Sequence, residues 1–139
     1  MSMEAAAVLA ANQAFYDAFK AGDMAAMAAA WAEAAPVACA HPGAPLLVGR
    51  ATVLESWASI LGSPDRPEIT CQQPQAHLLG ESAFVTCYER FGSERGATLL
   101  ATNILVKEGG QWRLVHHHAG PTPVAPPRTA PAPSGHSVH

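Results

Sequence analysis

Side chains suited to moving protons gather at a few places in this chain. His41 ends the short apolar segment Val37-Ala-Cys-Ala40 and precedes Pro42, at a junction where the backbone is rigid. The run His116-His117-His118 closes the stretch that begins at Ala101 and turns at Gly109-Gly110. A histidine near its reference pKa can take or give a proton at neutral pH, and burial favours its neutral, basic form. Asn103 lies inside the otherwise apolar run from Leu99 to Val106. A buried amide must find partners, so it either donates to a ligand oxygen or holds a histidine in one tautomer. Tyr16, Trp31, Trp57 and Tyr88 could wall a pocket for an apolar ligand, although any of them could equally serve as core.

The three consecutive histidines cannot all act on one side of a strand. Strict alternation groups His116 and His118 with Trp112 and Leu114, and places His117 on the other side with Val115. Zinc would need His41, His116 and His118 to converge, and no Asp or Glu stands at a recognisable ligand spacing, so no metal is expected. Cys39, Cys71 and Cys87 fit neither a zinc pattern nor a disulfide framework and read as buried, reduced thiols. Cys39 and His41 are two apart, about 7 Å on a strand, too far for a direct nucleophile–base pair. Gly109-Gly110 is a hairpin turn, not a phosphate loop, and no cofactor is expected.

These residues need elements to position them. Residues 4–20 read as an amphipathic helix with Val8, Asn12, Phe15 and Phe19 on one face. Gly22 stops it and Asp23 caps a second helix from Met24 to about Ala32. Val37–Ala40 is a short strand, and a third helix runs from residue 50 or 51 to Leu61, with Val53, Leu54, Trp57 and Leu61 as its stripe. The pattern then changes to period two. Strands are expected over Glu68–Leu79, Ala83–Phe91, 97–106 and 111–118, the last two forming a hairpin around Glu108-Gly109-Gly110. Pro74 marks the first of these as bent, bulged or at an edge. This order predicts an α+β domain over residues 1–120, with three N-terminal helices packed in a strongly curved antiparallel sheet. Residues 121–139 form a proline-rich tail that buries too little to offset its ordering entropy and is expected to be disordered; His136 and His139 belong to it and carry no catalytic reading.

The chain has 139 residues, enough for one domain, of which 49% are apolar and only 14% charged. So few charges suggest that part of the surface is covered by a partner. Net charge is -3 with neutral histidines, and the eight Lys and Arg are scattered. That excludes a non-specific nucleic-acid binder. Neither a basic secretory leader nor an apolar run of membrane-spanning length is present, so no membrane association and a cytoplasmic location are expected.

Several pieces carry a resemblance. They are Phe15-Tyr16-Asp-Ala-Phe19 with Gly22-Asp23, Trp31, Cys39-Ala-His41-Pro42-Gly43, Leu47-Val-Gly49-Arg50 with Trp57, Thr102-Asn103, and Gly109-Gly-Gln-Trp112-Arg-Leu-Val-His-His-His118. Together, over about residues 5–120, they resemble the NTF2-like superfamily, and within it the small bacterial SnoaL-like proteins. The resemblance implies a cone-shaped α+β fold with a ligand cavity and a homodimer formed through the sheet. It implies that a C-terminal histidine touches the cavity, and His118, near the open end, is the expected one. The first-helix tyrosine of ketosteroid isomerase corresponds loosely to Tyr16. That enzyme's aspartates have no counterpart near residues 37–41 or near Asn103, and the carboxylate base of the polyketide cyclases has none either.

Two functions follow as expectations. One is a cofactor-independent lyase or isomerase acting on a small, apolar, oxygenated molecule, with His41 or His118 as general base and Asn103 and Tyr16 stabilising an oxyanion. The other is a domain that binds a small molecule or associates with a protein without turnover.

Overall fold

Helix α1 spans Met3–Ala21 and is capped at both ends by local chemistry. The Ser2 hydroxyl accepts from the Ala5 amide at 3.0 Å, and Gly22 closes the helix in the left-handed region at φ 67°. The guanidinium of Arg66 lies directly over that glycine, 2.7 Å from where a Cβ would stand. The left-handed conformation favours glycine there, and any side chain would also have to displace the Arg66 guanidinium. Asp23 caps α2, Met24–Ala30, by accepting from the Ala26 amide at 3.0 Å. Arg50 opens α3, Arg50–Leu61, and donates to the carbonyls of Trp31 and Ala32 at 2.8 Å and of Ala28 at 3.1 Å, closing the α2 C-terminus. This computed structural model describes residues 2–92, 97–123 and 126–127. Most of the expected tail lies outside them.

The strands are β1 (Ala38–Ala40), β2 (Leu46–Val48), β3 (Ile69–Leu79), β4 (Ser82–Phe91), β5 (Thr98–Glu108) and β6 (Gln111–Pro121). They form one sheet in the order β2-β1-β6-β5-β4-β3. Three helices and an α+β order are as expected, but the sheet is not the strongly curved antiparallel one. It is mixed and open, because β1 runs parallel to β6, with Ala38 opposite His116 and Ala40 opposite His118, while β2 and β3 remain as edges. The reason is long-range. The meander from β3 to β6 is built of local hairpins, which period-two patterning reveals. The β1–β6 pairing joins residues 78 apart, and the parallel bridge of Trp31 to Leu114 just after α2 already runs in its direction. Leu46–Val48, expected as a lead-in to α3, is itself a strand antiparallel to β1.

The helices pack on one face of the sheet. That face carries Ala83, Val85, Cys87 and Glu89 from β4 and Leu99, Ala101, Asn103 and Leu105 from β5, all buried. Phe15 centres the aromatic packing, edge-on to Tyr16 at 4.8 Å, Trp57 at 5.3 Å and Trp31 at 6.2 Å.

Two irregularities shape the sheet. β3 bulges between Gln72 and Gln75, where Pro74 cannot donate to the ladder. β6 bulges at Val115: Leu105 faces Leu114, but the next residue back, Ile104, faces His116. Trp112 and Leu114 are buried before the bulge, and His117 and Ala119 after it. One extra residue has reversed the alternation, so His117 points inward and His118 is exposed.

Candidate functional site

Four polar side chains meet under the helices where an apolar core would otherwise close. Asn12 and Tyr16 are one turn apart on α1, Asn103 is on β5 and His117 on β6. Their exposures are 1%, 3%, 0% and 3%, and Glu89 from β4 joins them at 3%. The Asn103 amide donates to Asn12 Oδ1 at 2.7 Å and to Tyr16 Oη at 3.1 Å. Both of its hydrogens are thereby used, and its oxygen lies 2.5 Å from His117 Nδ1. His117 must therefore carry its hydrogen on Nδ1, which leaves Nε2 as the nitrogen with the lone pair. Tyr16 donates in turn to Glu89 Oε2 at 2.6 Å, and its oxygen also lies 3.3 Å from Cys87 Sγ. His117 Nε2 is 3.7 Å from the same Glu89 oxygen.

Burial sets the charges. It pushes the Glu89 carboxyl up to about 7 against the opposing hydrogen bond from Tyr16. Burial first, then the neighbouring His41, His116 and His118, lower His117 to about 3. Tyr16 is held well above its ordinary range by burial and by the Glu89 carboxylate. Between these two values the proton of the pair therefore resides on glutamate, and the two groups meet as a neutral acid and a neutral imidazole rather than as an ion pair.

Glu89 and His117 form part of the wall of a pocket of about 120 Å³. The rest is Phe19, His41, Pro42, Trp57, Ile60, Ile69 and Phe91, so the acid–base pair opens onto aromatic and aliphatic surface. Trp57 touches both imidazoles, edge-on to His41 at 4.8 Å and tilted against His117 at 6.0 Å. A larger hollow of about 260 Å³ lies beside the β3 bulge, lined by residues such as Gln73, Thr86, Tyr88 and Leu100, with neither carboxylate nor imidazole.

Of the residues expected from sequence, Tyr16 and Asn103 enter the buried network and His41 lines the pocket. Asn103 holds a histidine tautomer, one of its two expected uses. His118 is exposed on the outer side of β6. His116 turns its Nδ1 to the Ala38 carbonyl at 3.0 Å, so the zinc arrangement with His41 does not form. Among the described residues no group of His, Cys, Asp or Glu has metal-holding geometry, and no helix is long and apolar enough to cross a membrane. The thiols are unpaired, with Cys39 and Cys87 buried and Cys71 half-buried.

Sequence reasoning missed Glu89, His117 and the polar role of Asn12. Glu89 had a signal: it continues the series Ala83, Val85, Cys87 at period two and so puts a carboxylate on the inward face. Asn12 had one too, as the only polar residue in the α1 stripe Val8, Asn12, Phe15, Phe19.

Comparison with known proteins gives the family. A SnoaL-like domain profile matches residues 8–124. A provisionally assigned dehydratase of the NTF2-like family from Streptomyces avermitilis is 32% identical with a TM-score of 0.78, over 87% of this chain and 97% of that one. A provisionally assigned calcium/calmodulin-dependent protein kinase type II association domain from Thiobacillus denitrificans is 35% identical with a TM-score of 0.72, over 82% and 94%. An F-box protein of Arabidopsis thaliana, SKIP8, is 26% identical over 113 residues, 81% of this chain; the chain spans about half the length of that relative, 48%. On this evidence the chain belongs to the SnoaL-like domain family of the NTF2-like superfamily.

Proposed function

We propose that this protein transfers a proton on a small, apolar, oxygenated molecule, as a lyase or isomerase that needs no cofactor. The observation that carries this is Glu89, buried at 3% exposure, fixed by Tyr16 at 2.6 Å and set beside His117 Nε2 on the wall of an aromatic pocket. A carboxyl held near 7 by burial is present in both protonation states at neutral pH, as a general acid or base requires. Asn103 and Tyr16 position the pair rather than form an oxyanion hole, since their donors are already engaged within it. A cavity of roughly 150 Å³ holds benzene, so 120 Å³ suits a compact molecule or the reacting end of a larger one. The likeness to the Streptomyces protein assigned to the dehydratases supports the reading.

The test is exchange of the α-hydrogens of butanone in heavy water, followed by proton NMR. Wild type should accelerate exchange over buffer, and Glu89→Gln should reduce that acceleration by about a hundredfold or more. Exchange equal to buffer in the wild type would refute the proposal.

A second reading, association, draws on the 35% identical association domain and on the outer face of β5. There Leu100 and Ile104 are 49% and 36% exposed, opposite the buried Leu99, Ala101, Asn103 and Leu105. We propose that two copies pair through this outer sheet face. Light scattering should give twice the chain mass, falling to the chain mass in Ile104→Glu; a monomeric wild type would end the idea.

A further inference from the structure

The pocket has a second titratable wall that the Glu89–His117 pair does not use. His41 follows β1, whereas Glu89 sits on β4, and β6 and β5 lie between those strands. Both side chains line the same pocket of about 120 Å³. Two groups three strands apart in one sheet thus approach a single small cavity from different sides. His41 is held rather than free. Its Nε2 lies 2.7 Å from Ser56 Oγ of α3, and its ring stands at 85° to Trp57 with centroids 4.8 Å apart. Ser56 Oγ and Nε2 share this hydrogen bond, and a neutral imidazole keeps a lone pair on one of its two nitrogens.

The chemistry of the lining limits what can lie between them. No lysine or arginine is among the lining residues. Arg50 is committed to three backbone carbonyls and Arg66 to the Leu61 and Lys20 carbonyls. An anionic reacting end would face Glu89 with no cation to balance it, and desolvating it would be costly.

We infer that His41 is a catalytic residue of this site, acting across the pocket from Glu89, and that the two together suit loss of water from a small, neutral β-hydroxy carbonyl compound. This rests on the proton-transfer reading above and narrows it from any isomerase or lyase to an elimination. An isomerase can return a proton with the group that removed it, whereas elimination of water needs a base at one carbon and an acid at the leaving oxygen. In the step, the hydrogen α to the carbonyl leaves as a proton to the neutral His41 imidazole. The C–H electron pair becomes the new C=C bond. The β C–O bond breaks with its pair on oxygen, and the Glu89 proton goes to that oxygen, releasing water. His41 ends protonated and Glu89 ionised; one proton passed back through solvent restores both, and nothing is oxidised or reduced. The ordinary states agree with these roles, since burial lowers His41 toward the neutral base and raises Glu89 toward the acid.

The probe is acetaldol, the simplest β-hydroxy aldehyde, with formation of crotonaldehyde followed by ultraviolet absorbance and proton NMR. Wild type should accelerate water loss over buffer, and His41→Gln should lower that acceleration by about a hundredfold or more. The wild-type pH profile should carry an acid limb from protonation of His41 that disappears in the variant, a change that a merely structural role would not produce. Amide NMR spectra of His41→Gln, overlaying on wild type away from the pocket, certify the fold; should that variant not fold, Ser56→Ala, which frees Nε2, must still move the acid limb. Exchange on butanone without water loss from acetaldol overturns this inference and leaves the proton-transfer reading standing. Water loss that His41→Gln leaves unchanged, with the fold intact, also overturns it. Failure of both reactions overturns both readings.

Discussion

Replacing Glu89 by glutamine should make this fold more acid-sensitive than the wild type below neutral pH. In the unfolded chain the carboxyl titrates near 4.5 and the imidazole near 6.5; in the fold they titrate near 7 and near 3. Between pH 4.5 and 6.5 the unfolded pair is an ionised glutamate and a charged histidine, and the folded pair is a neutral acid and a neutral imidazole. Each state holds the same number of protons. Folding has moved one proton from histidine to glutamate, so the pair gives stability no slope with pH there. Taken singly, His117 has a depressed pKa, so its unfolded form binds the extra proton and stability falls as pH drops below 6.5. Glu89 has a raised pKa, so its folded form binds the extra proton, and stability rises as pH drops from 7 towards 4.5. Glutamine removes only the second contribution. The causes that lower His117 are burial and the other histidines, which the substitution leaves in place. Integrated between pH 6.5 and 4.5, where both ends lie close to one of the two values, the variant should lose about 2 kcal/mol relative to wild type. Urea unfolding of both proteins at pH 4.5, 5.5 and 6.5 measures it, and all shared titrations cancel in the difference. Parallel pH dependence of the two midpoints would refute the shared-proton account of the pair.

Three further outcomes are expected. Tyr16→Phe removes the hydrogen bond that opposes burial at Glu89; at about 1.5–3 kcal/mol for a bond to a charged group, the glutamate should titrate about one to two pH units higher by carbon NMR of its carboxyl. Asn103→Ala leaves His117 Nδ1–H and Asn12 Oδ1 without their partner; it should cost about 2–4 kcal/mol in urea unfolding, and nitrogen NMR should show His117 leaving its single tautomer. The Glu108 carboxylate accepts from the amides of Glu33, Ala34 and Ala35, which hold it below the usual carboxylate range. Glu108→Gln should lower Tm at neutral pH, and the gap from wild type should close as acid protonates the natural carboxylate.

The helices and the meander were legible because their signals are local: the α1 stripe, the caps at Gly22 and Asp23, and alternation from β3 to β6. The burial of Asn103 was legible too, as one amide in an apolar run. The direction of β1 was not, since nothing near Ala38 encodes a partner 78 residues away. His118 is the expected histidine from the resemblance and its place near the open end, whereas the bulge at Val115 turns His117 inward, and a bulge in a run of plausible strand residues leaves no mark in composition. Glu89 carries a local signal, being one step along the alternating series Ala83, Val85, Cys87. Beside His41 and near Asn103, where the resemblance implies aspartates, the chain has none; its inward carboxylate stands on β4 instead.

The bulge at Val115 sits directly before three identical residues, and that adjacency makes the site robust to copying errors in length. Deleting Val115 restores simple alternation yet leaves the three histidines in their places relative to β1, so a histidine still faces Asn103. Deleting one histidine instead moves the next into the vacated position, and an imidazole again lies inside. A run of like residues after a slip point thus works as a spare: the chain can lose one unit of length there and keep an imidazole against the amide that sets its tautomer.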